Sequence, residues 1–217
     1  MKTNGNLLPA AICLSVFVLG FVAPKASAQT ILPVSQARSI SASGVSTSAV
    51  DFAPFNVSIQ SDEGANQTSM INSASITASG FAFGNGSTGL AASRFSVTFD
   101  IASDCSYTLS GNVFWSNRDG GQGAGPPFVL LSSTSGTNFY AHALPMGGVV
   151  FSTNDVLPSG EYTLSAQAAA DAFHGENDSY SLSFSVTPVP EPATLTFLLL
   201  GTAAFLSLRR SRPSPPR

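Results

Sequence analysis

Tyr180, Leu182, Phe184 and Val186 alternate one for one with Ser179, Ser181, Ser183 and Ser185. Side chains that share a face at every second residue define a β-strand. Only as extended chain can this stretch bury one face and wet the other. The pattern recurs. Phe95, Val97, Phe99 and Ile101 interleave with Arg94, Ser96, Thr98 and Asp100. After a break at Asp104-Cys105, Tyr107, Leu109, Gly111, Val113 and Trp115 continue on one face. Tyr162, Leu164, Ala166 and Ala168 form a further set. Phe55, Val57 and Ile59 repeat it more faintly, and Ile76 to Phe83 also reads as extended.

Turn formers separate these runs: Asn85-Gly86-Ser87, the glycine-rich stretch 117–127, Ser135-Gly136-Thr137 and Pro158-Ser159-Gly160. Asp62 to Gln67 reads as a loop, and Thr30 to Val50 as an early edge strand or a lead-in. No helical period stands out between the two ends of the chain. Many short strands at this spacing predict an all-β domain over 29–189, an antiparallel β-sandwich with the jelly roll as its expected form.

The ends carry different information. Residues 1–28 have a basic start at Lys2, an apolar stretch from Leu7 to Val22, and Ala26-Ser27-Ala28 before Gln29. That order predicts a secretory signal peptide, cut by signal peptidase between Ala28 and Gln29. Cys13 would leave with it, so Cys105 would be the one thiol of the mature chain. At the other end Pro190-Glu191-Pro192 precedes the uncharged stretch 193–208, and Arg209, Arg210 and Arg212 follow within the tail 209–217. An apolar span closed by arginines predicts a transmembrane helix with its basic end in the cytoplasm and residues 29–192 outside.

Motif, apolar stretch and arginine cluster together resemble the PEP-CTERM sorting signal of Gram-negative bacteria, over residues 190–217. The resemblance implies that Pro190, Glu191 and Pro192 are recognised by an exosortase, a membrane-embedded transpeptidase-like enzyme. It implies a protein anchored in the inner membrane before processing, and afterwards at the cell surface or in the exopolysaccharide matrix. The tail runs on to Arg217, past the usual stub. The stretches Ser93–Phe99, Leu157–Ala166 and Tyr180–Val186 also look like those of other ectodomains carrying this signal, without implying an activity.

Charge narrows the partners. Charged residues are 10% of the chain, against about 25% in an ordinary soluble domain. Within 29–189 there is no lysine, and eleven acids face three arginines, a net of −8. Such a surface repels nucleic acid. What the sorting resemblance implies is a structural protein of the cell surface or the exopolysaccharide matrix, and no enzyme is expected. The alternative is a carbohydrate-binding module, which a row of exposed aromatics on one sheet face would favour; Phe114, opposite the core-facing Trp115, is the residue to watch. A secreted hydrolase is the third reading. It would need His142 or His174 beside a serine and a carboxylate, or a carboxylate pair such as Glu161 with Glu176. No cofactor is expected apart from calcium, for which Asp171, Glu176 and Asp178 are the candidate oxygen ligands against a solvated acidic loop.

Overall fold

The computed structural model describes residues 31–85, 89–116, 124–144 and 146–189, with Leu200 and Thr202. The signal peptide with Ala26, Ala28 and Gln29, the sorting motif Pro190–Pro192 and the arginines Arg209, Arg210 and Arg212 lie outside the described residues. Among those residues no helix is long and apolar enough to cross a membrane.

Twelve strands make two antiparallel six-stranded sheets. In chain order they are β1 (Ile31–Ala42), β2 (Val45–Ser48), β3 (Phe55–Ile59), β4 (Glu63–Ile71), β5 (Ser75–Gly84), β6 (Leu90–Ile101), β7 (Cys105–Ser116), β8 (Phe128–Ser133), β9 (Gly136–His142), β10 (Gly147–Leu157), β11 (Gly160–Asp171) and β12 (Asn177–Pro188). The first sheet runs β2-β1-β6-β11-β8-β9 and the second β10-β7-β12-β5-β4-β3. From β5 onward the chain passes back and forth between the sheets. This interleaves the orders β6-β11-β8-β9 and β5-β12-β7-β10, the double Greek key of a jelly roll. The strands β1 to β4 widen both sheets on the same side.

The alternating runs become β6, β7, β11 and β12, and their apolar sets face inward as the period requires. Two expectations are corrected. Asp62 to Gln67 is not a loop, because β4 starts at Glu63 and pairs with β5 from Glu63↔Gly84 onward. Thr30 to Val50 is not an edge or a lead-in as a whole. Its first part is β1, held between β6 and β2, and β2 alone forms the edge. A third strand, β10, pairs with β7 along Gly147–Leu157 without having announced itself in the sequence.

The core is graded from pole to pole. The pole holding the 101–105 and 157–160 turns is filled with large rings. Phe184 sits 5.4 Å from Phe99 and 5.8 Å from Tyr107, and Phe99 sits 6.2 Å from Tyr162 (centroid distances). Towards the other pole the inward positions become small or polar: Ala82, Ala91, Ala168, Ala170 and Ala172, with Ser93, Gln67, Glu63 and Asp178. Gly80 is part of this change, since a Cβ there would lie 2.4 Å from the Tyr180 ring. The ring takes the space that a side chain on β5 would need.

One buried charge joins the first sheet to the second. Arg38 is 1% exposed. Its guanidinium donates to Gln36 Oε1 at 3.1 Å, to Ser69 Oγ at 3.1 Å, and to the carbonyls of Asp51 and, at 3.0 Å, Ala53. It also lies 5.8 Å from the centroid of Phe55. Burial pushes its pKa below the usual arginine value, and the charge of Asp51 opposes that shift. Its partners are spent on holding β1, β4 and the 49–54 segment together.

Both ends of the domain leave from the ring-filled pole. The Ile31 N–H donates to Ser73 O at 2.6 Å, and the Val186 N–H donates to Ala74 O at 3.0 Å. The first strand and the last are thus tied to one turn.

Candidate functional site

On β5 the usual allocation of large and small residues is inverted. The inward positions are Ala78, Gly80, Ala82 and Gly84, while Phe81 and Phe83 stand on the outer face, half-buried. Gly84 has no room for a side chain, because a Cβ there would lie 2.2 Å from Ala172 Cα. The two phenylalanine rings stack on each other at 5.7 Å, with 29° between their planes. Phe83 lies across Gly64 of β4, where a Cβ would come within 2.1 Å of the ring.

Register places further groups beside them. Across the second sheet one outward row reads Gly148, Phe114, Ser179, Phe81 and Asn66. The next row towards the small-residue pole reads Ser116, Asn177, Phe83 and Gly64. The row on the other side holds Val150, Asn112, Ser181, Ser79 and Thr68, and there Ser181 Oγ donates to Asn112 Oδ1 at 2.8 Å. Phe114 is 43% exposed. It stands two strand spacings from Phe81, about 10 Å, with only Ser179 between. No charged side chain occupies these three rows. Above them opens a cleft of about 560 Å³ lined by Phe83, Gly84, Asn85, Ser116, Met146, Gly175 and Asn177.

This face therefore offers ring surface flanked by amides and hydroxyls, with no fixed charge. Trp115 takes the opposite role to its neighbour. It packs half-buried against the core, and its indole N–H donates to Glu176 Oε1 at 3.3 Å. A second aromatic patch lies on the other sheet, where Tyr140 stacks on His142 at 5.2 Å and meets Phe128 at 6.2 Å. It sits at the edge strand β9, and its rings largely contact each other.

The acidic candidates part company. After β11 a short 3₁₀ turn, Ala172–His174, is capped by the Asp171 side chain, which accepts from Phe173 N–H at 2.9 Å and meets His174 Nδ1 at 3.2 Å. Gly175 closes the turn at φ 61°, a left-handed conformation that favours glycine. Asp171 thus turns away from the other two. Glu176 and Asp178 are fully buried. Glu176 Oε2 accepts the Asp171 N–H at 2.7 Å and the Ala124 N–H at 3.0 Å. Strand β8 pairs with β11 only as far as Gln167, so Glu176 serves the β11 backbone beyond the reach of β8.

Asp178 points into the core two residues on. Neither of its oxygens has a partner in hydrogen-bonding geometry. Burial first, and then the charge of Glu176, push its pKa up to about 8, with the Ala169 backbone N–H pulling the other way. Among the described residues no group of three or more His, Cys, Asp or Glu surrounds one point. The expected set Asp171, Glu176 and Asp178 is therefore reduced to the last two.

The residues of a hydrolase are not brought together. His142 stands on β9, and His174 faces Asp171 beyond the end of β11. No serine hydroxyl bonds either ring. Glu161 opens β11 at the ring-filled pole and Glu176 lies at the other, a strand length apart. Of the glycine-rich stretch 117–127, residues 117–123 lie outside the described residues.

No family model matches the chain, and no curated protein matches it. Among solved structures it is similar to the carbohydrate-binding module TmCBM61, determined in complex with β-1,4-galactotriose. The TM-score is 0.28 and the identity 8%, over 52% of this chain and 71% of that one. It is similar also to a carbohydrate-binding module of lichenase 5A from Cellvibrio mixtus, in complex with cellotriose. There the TM-score is 0.24 and the identity 10%, over 64% of this chain and 88% of that one. A third is the enzymatically active domain of tailspike protein 4 of bacteriophage CBA120, with TM-score 0.28 and 11% identity, over 58% of this chain but 19% of the other. Likenesses this distant carry no argument, and the functional reading rests on the surface of this chain.

Proposed function

We propose that this domain is a carbohydrate-binding module of an exported protein, and that it binds glycan on the outer face of the second sheet. The observation that carries the reading is the placing of Phe81, Phe83 and Phe114 outside a sheet whose inner side, on β5, holds only small residues from Ala78 to Gly84. Burying the rings would have been the ordinary choice. A pyranose ring presents a flat face of C–H groups that packs on an aromatic ring, while its rim of hydroxyls needs donors and acceptors. Asn66, Asn112, Asn177 and Ser179 supply those beside the rings. The absence of charge in these rows suits a neutral glycan.

The sorting reading accompanies this one. We take the PEP-CTERM-like tail, with Pro190, Glu191 and Pro192, to deliver the domain through an exosortase to the cell surface or its exopolysaccharide. A module that holds polysaccharide accounts better for outward rings than a purely structural ectodomain.

The test is affinity electrophoresis of the 29–189 domain in gels containing neutral polysaccharides, including a β-1,4-galactan and a β-1,4-glucan. Phe114→Ala should weaken retardation by at least about tenfold, the loss of a hot-spot ring, without moving the melting temperature. Phe81→Ala should do the same with a modest stability cost. Unchanged mobility for wild type in every gel, or unchanged binding in a Phe114→Ala/Phe81→Ala double variant, refutes the assignment.

A further inference from the structure

Glu176 and Asp178 pose a problem that the glycan face does not address. Two carboxylates two residues apart on one extended segment project to the same side. Both are fully buried. Desolvating a carboxylate is costly unless a donor or a cation meets it, and placing a second beside it adds repulsion. Glu176 has its donors: Trp115 Nε1–H, Ala124 N–H and Asp171 N–H. Neither oxygen of Asp178 has a partner in hydrogen-bonding geometry, and the Ala169 backbone N–H acts on it from nearby. A buried polar group without a partner calls for an unseen ion, water or proton.

We propose that Glu176 and Asp178 form a binding site for a hard divalent cation, calcium in an exported protein, at the small-residue pole of the core. Their four carboxylate oxygens are the ligand type such an ion takes, with water and main-chain carbonyls completing the six to eight that calcium usually holds. A cleft on the outer side of the sheet is lined by Gly175 and Asn177, the residues on either side of Glu176. The chemistry accounts for an acid at position 178, whose cross-strand neighbours are Trp115 and Ala82. It also gives the 172–176 turn, Ala124 and Trp115 one point to close on. The inference does not depend on glycan binding, and each can fail alone.

Trp115 makes the test direct. It is the chain's only tryptophan, and its indole nitrogen lies 3.3 Å from a proposed ligand oxygen. Terbium added to metal-stripped wild-type protein should give luminescence sensitised by Trp115, displaced by calcium at one ion per chain. Calcium at about a hundred times its dissociation constant should raise the melting temperature by roughly 5–10 °C. Asp178→Asn, equal in size, should lose both signals, and Glu176→Gln should weaken them. The proposal is overturned by an absence of sensitised emission in wild type. It is overturned equally by a calcium-dependent rise that Asp178→Asn retains, which places the ion elsewhere. A third refutation is a wild type indifferent to calcium while Asp178→Asn is the more stable at pH 8, which makes the missing partner a proton.

Discussion

The two poles of the sandwich are built on different rules. At one, Phe99, Tyr107, Tyr162 and Phe184 fill the space between the sheets with stacked rings. At the other, alanines line the end of β11 and the turn after it, from Ala166 to Ala172, and the remaining inward positions are taken by Tyr180, Gln67, Ser93, Glu176 and Asp178. The first pole is held by apolar area and close packing. The second is held in larger part by hydrogen bonds, among them those of Gln67, Tyr180 and Glu176. The difference teaches where this fold can carry chemistry. A ring cluster presents mainly apolar contacts, whereas a pole of small side chains and acids presents polar groups.

The sharpest break of that contrast is a paired truncation and enlargement. Phe184→Ala should cost about 3–5 kcal/mol in urea denaturation, because its ring is fully buried between Phe99 and Tyr107. Ala170→Leu, also at a fully buried site, should cost only about 1–3 kcal/mol, by overpacking. Equal losses would mean the two poles are packed alike.

Tyr180 sharpens the comparison through pH. Its hydroxyl accepts from Gln67 Nε2 at 2.7 Å and lies 3.3 Å from Ser93 Oγ. Burial pushes its pKa up to about 12, the two hydrogen bonds opposing. A folded value above the unfolded one of 10 means that this group's contribution is complete below pH 10 and is lost as pH rises towards 12. Over that window wild type should lose roughly 1.4 kcal/mol per pH unit from Tyr180 alone. Tyr180→Phe should be less stable by about 1–3 kcal/mol at pH 7, yet show a flatter decline from pH 10 to 12. A slope identical to wild type would assign alkaline unfolding to other groups.

The smallest effect concerns Cys105, at the ring-filled pole. It is fully buried, and burial with the nearby Asp104 charge pushes its thiol pKa up. Both reduce the reactive thiolate. Alkylation by iodoacetamide at pH 8 should follow the unfolding rate. Prompt labelling of native protein would show that this pole opens locally.

Much of the fold can be read directly from the sequence, and the gaps are informative. Strands β6, β7, β11 and β12 announce themselves because each buries an apolar face and wets the other. Strand β4 does not, since its inward set is Glu63, Ala65, Gln67 and Ser69, which no hydrophobic count selects. Strand β10 lies at an edge and buries mainly Phe151 and Leu157, so its alternation is thin. The site divides in the same way. Phe114 is foreshadowed by its place opposite Trp115. Phe81 and Phe83 are not, because parity of hydrophobicity would turn them inward. Tyr180 over Gly80 and Ala172 over Gly84 reverse that choice, and both contacts come from residues about ninety or more positions away. The carboxylates were visible as a cluster in the sequence. Their separation into an outward Asp171 and a buried pair follows from the turn at Gly175.

Ile31 and Val186 are fastened to the same turn, so the domain has one foot. A chain held from either side of this sandwich holds it by the ring-filled pole. The opposite pole then stands off by the length of a twelve-residue strand, about 40 Å. The cleft and the buried acids ride at that far tip. The phenylalanine face runs down the flank below them, standing upright like the side of a post. Under the proposed assignments, a glycan lying parallel to a surface that holds the ring-filled pole would meet this face broadside, and neighbouring domains would bind along the same polymer without any of them turning over.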